Sequence, residues 1–165
     1  DLWATLATNP IFDADGSYRG ALALVTDAPQ WVGSAIVAVV VAIAVGAVAS
    51  AELAVDLAVA YTKERTAFGE PIGQRQAVAF TISNIGIELD GLRLTTWKAA
   101  SRLDRGEDAA ATIASARALA ASHGAQIGSN AVQMLGGHGF VKEYDNERWY
   151  RDLRGAGVLE GSLLV

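Results

Sequence analysis

Eighteen consecutive residues, Ser34 to Ala51, carry no charge and form a strongly apolar run. A run of that length has two solutions: a helix across a lipid bilayer, or a helix packed inside a protein. This one is rich in alanine and lacks leucine and adjacent lysine or arginine, so the basic anchors of a membrane span are missing. Glu52 and Asp56 then continue the helical pattern without a break. Taken locally, Ile36 to Val45 would also suit a buried strand, but the length and the alanines favour one helix over residues 34–65. The expectation is a bundle helix, no membrane span, and Ser34 as the first cap after Pro29 and Gly33.

The rest of the chain reads as further helices. Pro71 stops the first one, and Glu70 to Gly73 is a loop. A second helix is expected from about Gln74 to Asp104. Val78, Ile82, Ile85, Leu89 and Leu92 lie on one of its faces, and Phe80, Ile87, Leu94 and Trp97 widen that face into a deeply packed stripe. Gly106 stands at a natural C-cap. A third helix should begin at Glu107 or Asp108, acids at its positive end, and reach about Met134. Its contact face is small: Ala114, Ala118, Ala121, Ala125 and Gly128. Gly136 to Gly139 is a loop, and a short helix covers Asp145 to Arg154. Short connections imply antiparallel packing. The fold class is therefore all-α: an up-and-down bundle of three long helices and a short one. Residues 1–30 precede it with two short extended segments, a β remnant that needs strands from elsewhere.

Charge and composition narrow the function. The net charge of −5 belongs wholly to residues 1–60, which hold six acids and one base. No basic stripe is available for a phosphate backbone, so nucleic acid is not an expected partner. With no cysteine, disulfides, thiolate catalysis and thiolate metal sites are excluded. His138 has no second ligand at metal spacing and His123 is remote, so no metal site is expected. Asp1 and Trp3 do not read as a signal peptide, and the expected location is cytoplasmic.

Four segments carry chemistry, each with a plain alternative. Arg65, at the end of the first helix, is either a basic residue meeting the helix dipole or a guanidinium facing a diphosphate. Gln133 to Phe140 is either a tight turn or a glycine loop whose exposed amides admit a ligand. Glu147 to Arg154 alternates in charge, as solvated helix faces and internal salt bridges do, with Arg151 and Asp152 as structural pairs. Its arginines would also favour a carboxylate or anion. Glu160, between Val158-Leu159 and Leu163-Leu164-Val165, is either a capping acid or a buried carboxylate whose raised pKa makes it a stronger base.

Together these segments resemble one family. Tyr61 to Ile72 is similar to Y-x-x-E-R-x-x-F-G-x-P-I, with Gln76 following. Gln133 to Phe140 resembles Q-x-x-G-G-x-G-F/Y, Glu147 to Arg154 resembles E-R-x-Y-R-D-x-R, and Glu160-Gly161-Ser162 resembles E-G-T/S. These are the ordered motifs of the acyl-CoA dehydrogenases. The resemblance implies FAD as cofactor, an acyl-CoA substrate and an electron-transfer flavoprotein as redox partner. It also implies a homo-oligomer, or a heteromer, with FAD at the subunit interface. Carried over residue by residue, Arg65 and Phe68 would meet a neighbouring subunit's FAD. Gln133, Gly136 and Gly137 would hold its adenosine diphosphate end, and Gln76 and Ser162 would be further contacts. Glu160 would be the base that takes the α-proton while the β-hydrogen leaves as hydride, and its backbone amide would help polarise the thioester carbonyl.

Departures from the pattern set further expectations. Val39-Val40 stand where the family often has a charged residue, and His138 and Asp145 replace its more frequent asparagine and proline. Residues 1–30 resemble the end of the middle β domain and residues 31–165 the C-terminal helical domain, stopping before its last helix. The expectation is a piece of a larger subunit, inactive alone. An acyl-CoA oxidase would use the same glutamate, and a non-catalytic subunit completing a homologous chain's FAD site would keep Arg65, Gln133, Gly136 and Gly137.

Overall fold

The computed structural model describes residues 30–159, with side chains from Ser34 onward. The chain divides into two units, residues 1–39 and 40–165, and the bundle lies in the second. The β segments expected within residues 1–30 lie outside the described residues.

The helical elements follow the expected order. Helix α1 spans Gln30–Glu64, α2 Gln76–Asp104, α3 Ala110–Leu135 and α4 Asn146–Gly155. Between α1 and α2 the chain forms a two-residue ribbon, β1 (Thr66–Ala67) against β2 (Glu70–Pro71), and then a 3-10 turn over Ile72–Gln74. Two expected boundaries shift. Helix α1 starts directly after Pro29, so Gly33 and Ser34 lie inside its first turns and Ser34 is not the cap. Helix α2 starts two residues later than expected, because the 3-10 turn takes up Gln74.

In α1 the buried positions are Ala44, Ala47, Val48, Ala51, Ala54, Val55, Ala58 and Thr62. Their steps of three and four residues make one narrow stripe, and the small side chains allow close approach. Ala54 and Ala58 pack against Ala131 and Leu135 of α3. Arg93 of α2 reaches Glu52 of α1 at 3.2 Å. Val45 and Leu53 face outward. Ser34–Glu64 is also long and apolar enough to cross a membrane, with a mean hydropathy of 2.5 and 22% of its most apolar window buried. An all-round apolar helix would suit the centre of a bundle, but the central place belongs to α3.

Helix α3 contacts α1, α2 and α4. Its buried face is Ile113, Ala116, Ala120, Gly124, Ile127, Gly128 and Ala131. Of the expected small face only Gly128 is buried; Ala114 and Ala118 are exposed. Alanine recurs on every side of this helix, so its spacing does not single out the contact face. The glycines do. A Cβ on Gly128 would lie 3.3 Å from Cα of Tyr150, and one on Gly124 would lie 3.4 Å from Leu153. Helix α4 therefore crosses α3 at a distance that larger side chains would widen.

Helix α2 buries Ile85, Leu89, Leu92, Thr96 and Ala99. The second stripe expected to pack is instead exposed: Phe80, Ile87, Leu94 and Trp97 are 58%, 70%, 63% and 61% accessible. The Gly106 amide donates to Leu103 and the Glu107 amide to Arg102, a Schellman closure with Gly106 at φ 66°. The expected acids are not in the first turn of α3. Glu107 accepts from Arg105 and, to a lesser effect, Arg102, which hold its carboxyl below the usual range, and Asp108 accepts from the Ala110 amide.

Candidate functional site

The end of α1, the ribbon and the end of α3 meet at one edge of the bundle. The Arg65 amide still donates to Tyr61, extending the helical ladder by one residue, and the Ile72 amide donates to the Arg65 carbonyl at 2.9 Å. Arg65 is thereby fixed at the base of the ribbon. The two-residue turn at its tip, Phe68-Gly69, has φ of 56° and 87°. Positive values at both central positions fit the twist of a two-residue hairpin, but they strain a residue with a Cβ. Phe68 is nevertheless 93% exposed. Its ring lies 4.9 Å from the Arg75 guanidinium, which also faces Glu70 at 3.7 Å.

At the end of α3, Gly136 takes φ 60° and ψ −133°, a conformation essentially reserved for glycine. It turns the chain into a five-residue 3-10 segment, Gly136–Phe140, where a loop was expected. Gly139 packs onto Val132, while a Cβ on Gly137 would meet nothing within 4 Å. Gly137 is thus required neither by its dihedral nor by the bundle.

Two adjoining clefts result. The first, ≈ 500 Å³, is lined by Tyr61, Arg65, Gln133, Gly136, Gly137 and His138 among others. The second, ≈ 410 Å³, is lined by Phe68, Arg75, Val78 and Thr81 and shares Ile72, Gln133 and Met134 with the first. The structure thus brings together Arg65, Gln133, Gly136 and Gly137, with Phe68 next door across Gln133. Gln76 is exposed at the first turn of α2 and lines neither cleft. Glu160 and Ser162 lie outside the described residues.

The cations differ in how they are used. Arg148 pairs with Asp145, just before α4, at 3.3 Å, and Arg151 with the half-buried Glu147 at 2.9 Å. Within the run Glu147 to Arg154, Arg151 is bonded to Glu147 rather than to Asp152. The Arg65 side chain makes no ion pair or hydrogen bond among the described residues. A guanidinium without a carboxylate partner, beside an open glycine backbone, is a receptor for an anion. Among the described residues no three His, Asp or Glu side chains gather as a metal site.

One group escaped the sequence. Tyr61, His138 and Tyr144 form a ring cluster with centroids 5.4–6.1 Å apart, and the Tyr61 hydroxyl lies 3.1 Å from His138 Nδ1. Neither spacing nor periodicity links residues so far apart in sequence.

The family model described as the acyl-CoA dehydrogenase C-terminal domain matches residues 39–164. The chain belongs to the acyl-CoA dehydrogenase family. It is 38% identical over 122 residues to 3-(aryl)acrylate reductase of Clostridium sporogenes, covering 74% of this chain and 32% of that protein. It is equally identical over 122 residues, 74% of this chain, to the mitochondrial short-chain specific acyl-CoA dehydrogenase of Bos taurus, and covers 30% of it. It is 38% identical over 115 residues, 70% of this chain and 30% of the relative, to the caffeyl-CoA reductase-Etf complex subunit CarC of Acetobacterium woodii. Butyryl-CoA dehydrogenase from Megasphaera elsdenii superposes with a TM-score of 0.72 at 29% identity, over 74% of this chain and 32% of that one. PigA with FAD and proline superposes with a TM-score of 0.73 at 26% identity, over 76% and 33%. The chain therefore spans about a third of the length of the relatives it matches.

Proposed function

We propose that this chain is the helical domain of an FAD-dependent acyl-CoA dehydrogenase, with the residues before α1 the edge of a preceding β domain. The observation that carries this reading is the convergence of Arg65 with Gln133, Gly136 and Gly137 on one cleft. These residues fit a flavin dinucleotide. The Arg65 guanidinium, without a partner among the described residues, matches a diphosphate by forked hydrogen bonding, and Gly137 leaves room for a ligand beside the backbone. Phe68, at the ribbon tip, offers an apolar face to the same group from the adjoining cleft. Bound FAD would supply the hydride acceptor.

The residues of this chain bind and orient. Arg65 neutralises the diphosphate charge, Gln133 is placed between the two clefts, and Gly136 sets the direction of the loop. Glu160 takes the α-proton of an acyl-CoA thioester as the β-hydrogen departs, and its amide stabilises charge on the thioester oxygen. Ser162 is a further cofactor contact. An electron-transfer flavoprotein as redox partner is in keeping with the Etf-complex name of the Acetobacterium relative. The exposed stripe of α2 supports an oligomer. The buried stripe from Ala44 to Ala58, with Ala54 and Ala58 packed on Ala131 and Leu135 of α3, supports α1 as a bundle helix rather than a membrane span.

The test uses the full-length protein. Glu160→Gln should retain FAD and lose α-proton exchange of a bound acyl-CoA, whereas Arg65→Gln should lose FAD. Unimpaired turnover by Glu160→Gln would overturn the base. Steady hydrogen peroxide release with an acyl-CoA would replace the dehydrogenase by an oxidase.

A further inference from the structure

His138 lines the first cleft beside Arg65, Gly136 and Gly137, and its side chain is exposed. Its Nδ1 is held 3.1 Å from the Tyr61 hydroxyl, and Tyr144 packs edge-on against both rings. Its Nε2 makes no hydrogen bond among the described residues. A neutral imidazole carries one proton, and the bond at one nitrogen decides the role of the other. If Nδ1–H donated to Tyr61, Nε2 would add a lone pair to a cleft whose guanidinium calls for an anion. An oxyanion in that cleft selects the opposite arrangement.

We propose that His138 is a ligand-binding donor of this cleft: the Tyr61 hydroxyl donates to Nδ1, the ring proton resides on Nε2, and Nε2–H bonds the diphosphate received by Arg65. Tyr61 is then a positioning residue, acting on the ligand only through His138. The assignment rests on the FAD reading of the cleft. Adenosine diphosphate is common to FAD and to coenzyme A, so the test separates the two.

The experiment uses the full-length apoprotein, titrated with FAD by flavin fluorescence and with an acyl-CoA by calorimetry. His138→Phe keeps a ring against Tyr61 and Tyr144 but removes the donor, and it should weaken FAD about tenfold or more, the usual effect of losing a hydrogen bond to a charged group. His138→Gln restores a terminal N–H and should bind FAD within about threefold of the parent protein. Tyr61→Phe should weaken FAD by about twofold to fivefold and convert a single Nε2–H tautomer, read by nitrogen-15 NMR of the imidazole, into a mixture. Acyl-CoA affinity should not change in any of the three.

Parent-like FAD binding by His138→Phe, with FAD lost in Arg65→Gln, would overturn the role of His138 and leave the FAD site standing. Parent-like FAD binding by both variants would overturn both. Weakened acyl-CoA with unchanged FAD would overturn the assignment too. Should His138→Phe not fold, the spectrum of the FAD-bound parent decides, and an Nδ1–H tautomer there overturns the proposal.

Discussion

Gly139 lies so close to the end of α3 that a Cβ added to it would sit 2.5 Å from the carbonyl oxygen of Val132. The obstacle is backbone, which cannot swing aside as a side chain can. Two positions earlier, the same atom on Gly137 would meet nothing. Two glycines of one loop thus answer to different constraints, the first to packing and the second to the cleft.

Substitution separates them. Gly139→Ala should destabilise the domain by about 1–3 kcal/mol, the usual range for overpacking, and lower the thermal midpoint accordingly. Gly137→Ala should leave the midpoint unchanged and weaken FAD, because its methyl group would enter only the space assigned to the ligand. Equal FAD affinity in Gly137→Ala and the parent protein would remove the dinucleotide from this cleft.

Phe68 combines strain with exposure. A phenylalanine at φ 56° on a ribbon tip contributes nothing to the core, and glycine or asparagine would hold that turn with less strain. Phe68→Gly should therefore stabilise the isolated turn or cost nothing, within about 0.5–1 kcal/mol. The same change should loosen FAD, since an aromatic face is lost from the adjoining cleft. A loss of stability without an effect on FAD would show that the Arg75–Phe68 contact is structural only.

The helices themselves were legible, because proline, glycine and charge punctuate them. Pro29 stands directly before α1 and Gly106 closes α2, for reasons that act locally, whereas α1 ends at Glu64, ahead of the ribbon that contains Pro71. Sidedness was legible only where large apolar residues alternate with polar ones. Ile85, Leu89 and Leu92 gave the packed face of α2, but Phe80, Ile87, Leu94 and Trp97 have the same composition and face outward. Periodicity reports that a face is apolar and is silent on whether this chain or another covers it. In α3, alanine on every side erased the signal altogether. At the candidate site, the motifs singled out Arg65 and Gln133, which the fold brings to one cleft, whereas the bond from Tyr61 to His138 spans 77 positions and arises only when α1 and α3 have docked.

The outward stripe of α2 makes its own prediction. Phe80, Ile87 and Leu94 recur every seven residues, with Trp97 one turn beyond, which is the seam of a helix that meets another helix. In the full-length protein Leu94→Lys should leave helix content and thermal unfolding of the monomer intact and shift sedimentation toward smaller species. It should also release FAD if the cofactor lies between subunits. An unchanged oligomer would assign the stripe to a different contact.

Glu88, on α2, supplies a prediction about pH. Among the described residues its buried Oε2 has no hydrogen-bond partner, nor has the buried Nδ1 of His123 on α3. Desolvation raises the Glu88 pKa, and the nearby His123 partly opposes that shift. The folded state therefore binds this proton more tightly than the unfolded chain does. Stability from this group is present in full below the ordinary glutamate pKa and is lost as pH rises through the elevated folded value. Glu88→Gln removes the charge and keeps the shape. It should raise the thermal midpoint by about 1–2 °C at pH 7, a fraction of a kcal/mol for a chain of this size, and leave it unchanged near pH 4. A lower midpoint at pH 7 would mean that the surroundings of Glu88 favour its charged form and that desolvation is not the dominant influence on this carboxylate.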